Sequence, residues 1–309
     1  MNTPTIRVKK DVEADTQEFI KFLYRWSPEK KNLIVRTYPE LADAAQLDES
    51  VGGKIVSDFI QEYYVHHQKE IDMLVSDMES QVKTAAEPVI SALGEVMEYS
   101  WNNKDNGYTV IPTLLPFSPL HEPIFFFSLV RFLREHATSV ASSYGLTAVI
   151  AHEVSHFIFF DLLKKEDDAV RAKCNKTIEY FAKEILAPVV MNDERLNIIL
   201  KLSDYGGNPL LKYIAVQEDG KEQNIVEFFR EKNVQQKLTK TPFIIYVSYL
   251  IETLSSIEHE LRERFDTWNM HGNALLSNAE LKTQYCKPID IKNRGGTSCY
   301  LNHPTITTH

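Results

Sequence analysis

Val149-Ile150-Ala151-His152-Glu153-Val154-Ser155-His156-Phe157-Ile158-Phe159-Phe160 is the stretch on which the reading of this chain turns. A helix advances about 100° per residue, so residues four apart lie one above the other. His152 and His156 therefore present both imidazoles on one stripe, and two neutral imidazoles make half of a tetrahedral zinc site. Glu153 lies beside the first histidine, where its carboxylate can take a proton from a water whose pKa a metal lowers. It can later pass that proton to a leaving group. With 10 histidines in 309 residues, chance alone places such a pattern in roughly a few per cent of chains. The surroundings narrow that. Val154 and Ser155 are uncharged, apolar residues flank the motif, and no proline or glycine occurs from Leu146 to Lys165. The pattern predicts a long, buried helix running from about Ala141 to Leu163.

Two plainer accounts compete. One is a core helix with two hydrogen-bonded histidines, but a buried glutamate beside them is expensive without a partner. The other is a zinc site serving structure alone, and such sites are usually closed by cysteine; none adjoins the motif. A third ligand is sought on a second helix, read as running from about Asp168 to Leu186 with Pro188 near its end. It carries Glu179 and Glu184, each followed one turn later by a small residue. Both stay open on spacing alone, as does a residue elsewhere.

The motif with a later Glu179-Tyr180-Phe181-Ala182 resembles the gluzincin group of zinc metallopeptidases. The resemblance covers about residues 141–190. It implies one Zn2+ ion held by His152, His156 and Glu179, with Glu153 as general base in peptide-bond hydrolysis. It departs from the group in lacking the acidic or amide residue that often accompanies the glutamate helix, since Lys183 follows Ala182. The extended metzincin form is excluded, because Phe157–Asp161 supplies neither its glycine nor its third histidine.

The bulk numbers frame this. Apolar residues make up 43% and charged residues 25%, as in ordinary globular chains. A net charge of -9 and the lack of a basic stripe argue against nucleic acid as partner. Three cysteines imply no disulfide framework. Residues 1–16 carry no apolar core of a signal peptide, and the most apolar runs, 123–133 and 242–250, are too short to span a membrane. A cytoplasmic protein without a membrane partner is expected.

The fold expected is α+β and predominantly helical, a zincin-like core with a small sheet next to the motif helix. Residues 1–105 form an N-terminal, mainly helical region, 106–204 the core, and 205–309 a C-terminal helical region with an irregular tail from Lys287. Within the first, Asp15–Glu18 open a short helix and Asn32–Thr37 form a strand. Helical periodicity then runs from about Gly53 to Trp101, broken at Pro88, with Tyr63, Tyr64, His66 and His67 on a helix surface. Tyr108–Pro112 and Ile124–Val130 read as strands. Pro112 suggests an edge, and Ile124–Val130 is preferred as the edge on which an extended substrate would pair. Tyr205, Tyr246, Tyr249, His259 and His271 are candidate oxyanion donors, none preferred over a structural role. Cys286, Cys299 and His303 are too widely spaced for a second zinc site. Set against a metallopeptidase acting on a peptide or protein is an inactive zincin-like module that regulates or scaffolds a partner; the intact Glu153 weighs against it. A helical interaction protein with an accidental motif is the third reading.

Overall fold

The computed structural model describes residues 3–101, 107–133, 145–202, 204–271, 285 and 287–291. In chain order the elements begin with β1 (Ile6–Val8), α1 (Val12–Tyr24), α2 (Pro28–Thr37), α3 (Glu49–His66) and α4 (Gln68–Val96). Next come β2 (Tyr108–Thr113), β3 (Leu120–His121), β4 (Ile124–Ser128), α5 (Val130–Leu133) and α6 (Leu146–Leu163). Then follow α7 (Asp168–Lys173), α8 (Lys176–Met191), α9 (Glu194–Leu200), β5 (Ala215–Glu218) and β6 (Lys221–Asn224). The last are α10 (Ile225–Leu238), α11 (Phe243–Ser256), α12 (Glu258–His271) and β7 (Ile289–Asp290). The fold is α+β and predominantly helical, and the His-Glu-x-x-His motif sits in α6. The chain divides into two units, Met1–Ile158 with Val190–Asp204, and Phe159–Val189 with Tyr205–His309.

The first unit holds a four-stranded sheet in the order β1-β2-β4-β3. β1, β2 and β4 run parallel, and β3 is antiparallel to β4. Neither candidate edge strand is therefore at the sheet's edge; β1 and β3 are. Pro112 is tolerated inside β2 for a local reason. The Tyr108 N–H donates to Thr5 and the Thr109 N–H to Pro123, so even-numbered amides face β1. β1 has ended at Val8 before Pro112 is reached, and the missing N–H breaks no ladder bond.

Several expectations here are corrected. Asn32–Thr37 lies in helix α2, not a strand, because Ser27 caps the helix by accepting from the Lys30 N–H at 3.4 Å and Pro28 stands at its start. Asp15 does not open α1: Asp11 caps it, and Asp15 lies inside, fully buried. The long helical stretch breaks at His67 rather than Pro88, which is accommodated within α4. Tyr64 is buried, not on a surface. Its hydroxyl donates to Asp15 at 2.8 Å. Tyr38 anchors the same core, packing edge-on against Phe19 and donating to the Leu114 carbonyl at 2.7 Å.

In the second unit the single helix expected over 168–186 is two. Asn175 accepts from the Thr177 and Ile178 N–H groups at 3.0 and 3.2 Å, and α8 starts afresh from that cap. A second sheet, β6-β5-β7, stands where continuous helix was expected. Its hairpin turns on Asp219-Gly220, both at positive φ (55° and 78°), the backbone that the favoured two-residue hairpin requires. Ile289–Asp290 pairs with β5, so the tail begins with a short strand. The α11–α12 stretch is broken at Ile257. The start of the motif helix at Ala141, Cys286, Cys299 and His303 lie outside the described residues.

Candidate metal centre

The apolar residues of α6 are spread around its whole circumference rather than along one stripe, which marks a buried helix rather than an amphipathic one. Among the described helices it is the one long and apolar enough, by length and composition, to cross a membrane. This corrects the expectation drawn from uninterrupted apolar runs, which the motif's own polar residues break. However, 72% of that window is buried inside the protein, as in a core helix.

The motif occupies the middle of α6. Ala151, Val154 and Ser155 are fully buried, and the Ser155 hydroxyl turns back to donate to the His152 carbonyl at 2.6 Å. It therefore contributes no group to the site. Phe157, next to the second histidine, stacks on Tyr108 of β2 with ring centroids 5.1 Å apart and meets Phe125 of β4 at 6.3 Å.

His156 is 1% exposed and Glu153 5%, while His152 is half-buried. The two imidazole rings lie 4.3 Å apart between centroids. The His156 Nδ1 is 3.5 Å from a Glu153 carboxylate oxygen. One ligand atom from each of His152, Glu153 and His156 falls within 4.8 Å of the others. This is the group of three metal-capable side chains among the described residues. Imidazole nitrogen and carboxylate oxygen are the donors zinc takes, and the burial of Glu153 and His156 would keep competing water away. The residues fit a metal.

Glu179 and Glu184 belong to the second unit. Glu179 is half-buried in the first turn of α8, where the helix dipole favours a carboxylate. Glu184 is 8% exposed and already engaged: Lys183 Nζ donates to it at 2.6 Å and Asn208 Nδ2 at 3.4 Å. The same Asn208 amide donates to Tyr180 at 2.8 Å. Of the oxyanion candidates, Tyr246 is buried and spends its hydroxyl on the Phe229 carbonyl at 3.1 Å. Burial pushes the Tyr249 hydroxyl up to about 12. His259 is exposed, 3.7 Å from Glu263, and His271 is exposed at the end of α12. Tyr205 is buried.

Two features escaped the sequence reading. One is the buried Asp15, signalled only by a charge one turn before Phe19 on the apolar stripe of α1. The other is a cavity of about 520 Å³ lined by α4, the end of β4, α5 and the start of α6. Compared with protein-family models, with curated proteins and with solved structures, the chain matches none.

Proposed function

We propose that this protein is a zinc-dependent metallopeptidase. The observation that carries the reading is the buried His152-Glu153-His156 group on one helix, with ligand atoms within 4.8 Å of one another. His152 and His156 would hold the ion, with Glu179 as third protein ligand. Glu179 is preferred to Glu184 because the Glu184 carboxylate is already bonded by Lys183 and Asn208. A bound zinc ion supplies Lewis-acid polarisation of the scissile carbonyl and a water acidic enough to lose a proton near neutral pH. Glu153 accepts that proton and delivers it to the departing amine. The half-buried His152 marks the side of the motif open to solvent, and so the side from which a peptide enters. A zincin-like core with the small sheet beside α6 is part of the proposal, supported by the Phe157 ring contacts with Tyr108 and Phe125. A reducing, cytoplasmic setting is part of the proposal, and its support is the odd count of three cysteines in the sequence.

The test is metal analysis followed by cleavage. Purified protein loaded with zinc should hold one ion per chain and cut members of a degenerate peptide mixture. Glu153→Gln should abolish cutting with the fold intact by circular dichroism. Protein that retains no zinc after desalting, or a Glu153→Gln variant that cuts as fast as wild type, would overturn the reading.

A further inference from the structure

The directions in which the motif side chains point depend on the rotation of α6 about its own axis. An amphipathic helix has that rotation set by burial of one stripe. The apolar residues of α6 surround it, so burial alone scarcely prefers one rotation over another, and individual side-chain contacts must choose. Phe157 makes one such contact. It is fully buried, follows His156 directly and stands one turn after Glu153. Around the helix it is about 100° from the first and about 40° from the second. Its ring lies against that of Tyr108, with centroids 5.1 Å apart and planes 16° apart, within the range of offset-stacked aromatic pairs.

Tyr108 is itself held firmly. It is 1% exposed and opens β2, where its N–H donates to the Thr5 carbonyl at 2.8 Å and it pairs with Ile6 of β1. Trp101 meets its ring edge-on at 6.5 Å, and Tyr99 meets Trp101 at 4.9 Å. Gly94 of α4 makes room for that indole: an added Cβ there would meet Trp101 Nε1 at 2.6 Å. All of these residues, and the motif, belong to the first unit. The consequence is geometric. Side-chain atoms stand about 5–6 Å from a helix axis, so a rotation of about 10° moves them by about 1 Å. Metal and catalytic geometries tolerate about 0.5 Å.

We propose that Tyr108 is a positioning residue for the metal centre: its ring, stacked on Phe157, fixes the rotation of α6 and with it the directions of His156 and Glu153. The proposal rests on the metallopeptidase reading and adds to it a residue from outside the motif helix. Tyr108 acts through Phe157, not by touching metal or substrate.

The test compares full-length variants, each shown to be folded by circular dichroism, for zinc affinity in competition with a chelator. Tyr108→Leu and Phe157→Leu remove the stack from opposite sides, and each should weaken zinc binding by about tenfold or more. Either variant serves if the other misfolds. Tyr108→Phe keeps the ring and should bind zinc about as tightly as wild type. Tyr38→Leu is the control for lost core packing. Tyr38 is equally buried in the same unit and packs on Phe19, Phe59 and Tyr63, and zinc affinity should not move on its replacement. With cobalt in place of zinc, visible absorption reads the ligand geometry; Tyr108→Leu should change the spectrum and Tyr38→Leu should not. That joint pattern sustains the positioning role even in a protein that cuts no peptide, a result that would sink the peptidase reading alone. Zinc affinity in both stack-removing variants equal to that of Tyr38→Leu, or a Tyr108→Phe variant as weak as Tyr108→Leu, would overturn the role of the stack and spare the peptidase. Wild type that holds no zinc would overturn both.

Discussion

Asp15→Asn should reverse the order of stability between variant and wild type across the mildly acidic range. Asp15 is fully buried in α1. One carboxylate oxygen accepts from the Tyr64 hydroxyl at 2.8 Å and the Leu114 N–H at 2.9 Å, and the other accepts from the Thr113 hydroxyl. Burial raises its pKa from 3.8 to about 6, against the lowering effect of these donors. Glu18 on the same helix adds to the rise, while Tyr38 and Asp11 bear on Tyr64. The native state thus favours the protonated acid. Its contribution to stability is complete below about pH 4 and is lost as the pH rises through about 6. The gap corresponds to about 3 kcal/mol at neutral pH. Asparagine stays neutral throughout and keeps an acceptor for Leu114 and Tyr64. Its amide would face Thr113 Oγ1, which already accepts from the Leu115 N–H at 3.0 Å, a rearrangement costing about 1 kcal/mol. The variant should therefore be the less stable by about 1 kcal/mol at pH 4 and the more stable by about 2 kcal/mol at pH 7. Urea unfolding with chelator present, followed by Trp26 and Trp101 fluorescence in a Trp268→Phe background, reads the unit that holds α1. Other carboxyls cancel in the difference between the two proteins. A difference constant from pH 4 to pH 7.5 would refute the argument.

Other outcomes follow from single contacts. His156→Ala and His152→Ala should each lower zinc content well below one per chain by elemental analysis. Zinc at about 100 times its Kd should stabilise wild type by about 2.7 kcal/mol, visible as a rise in Tm that the histidine variants lack. Gly107→Ala should destabilise the first unit by about 1–3 kcal/mol in urea, because Gly107 has φ +60° and an added Cβ would meet the Thr5 carbonyl oxygen at 2.3 Å. Asn175→Ala should cost about 1 kcal/mol in thermal unfolding through loss of the cap on α8, with no change in zinc content.

What the sequence made legible was local and periodic. The apolar residues on both sides of the motif, with no proline or glycine among them, announce a buried helix, because a loop or exposed surface would carry charges and turn residues there. Tyr108–Pro112 and Ile124–Val130 read as strands for a similar reason. Caps outrank local composition at two helix starts: Ser27-Pro28 and Asn175 set them where β-branched residues or continuous periodicity point elsewhere. Asp219-Gly220 is an overt hairpin signal, hidden by the weakly apolar strands beside it. Sheet order was not legible, because it depends on which strands meet across long connections. The edge assignment of Ile124–Val130 failed there, with β3 pairing on its far side. The cavity was invisible for the same reason: Leu74, Phe132 and Leu146 are brought together by tertiary packing alone.

Among the described residues the first unit buries two acids, Asp15 and Glu153, and their surroundings assign them different work. Asp15 is ringed by a hydroxyl from α3, a hydroxyl from β2 and a backbone N–H, so it is a structural acceptor that ties α1 to the end of β2. Glu153 instead lies beside imidazoles, with His156 Nδ1 at 3.5 Å. A neutral imidazole offers one donor and one lone pair, so this group is rich in electron pairs that a cation can take up. Whether Glu153 binds that cation or works beside it follows from helix register. His152 and His156 are about 40° apart on the helix, whereas Glu153 is about 60–100° from each. It therefore stands off the stripe that both imidazoles share, within reach of a water there. Glu153→Gln should then keep zinc affinity within about tenfold of wild type, and Asp15→Asn should leave it unchanged. A loss beyond about 100-fold on Glu153→Gln, by competition with a chelator of known affinity, would make Glu153 a ligand and remove the base from the mechanism.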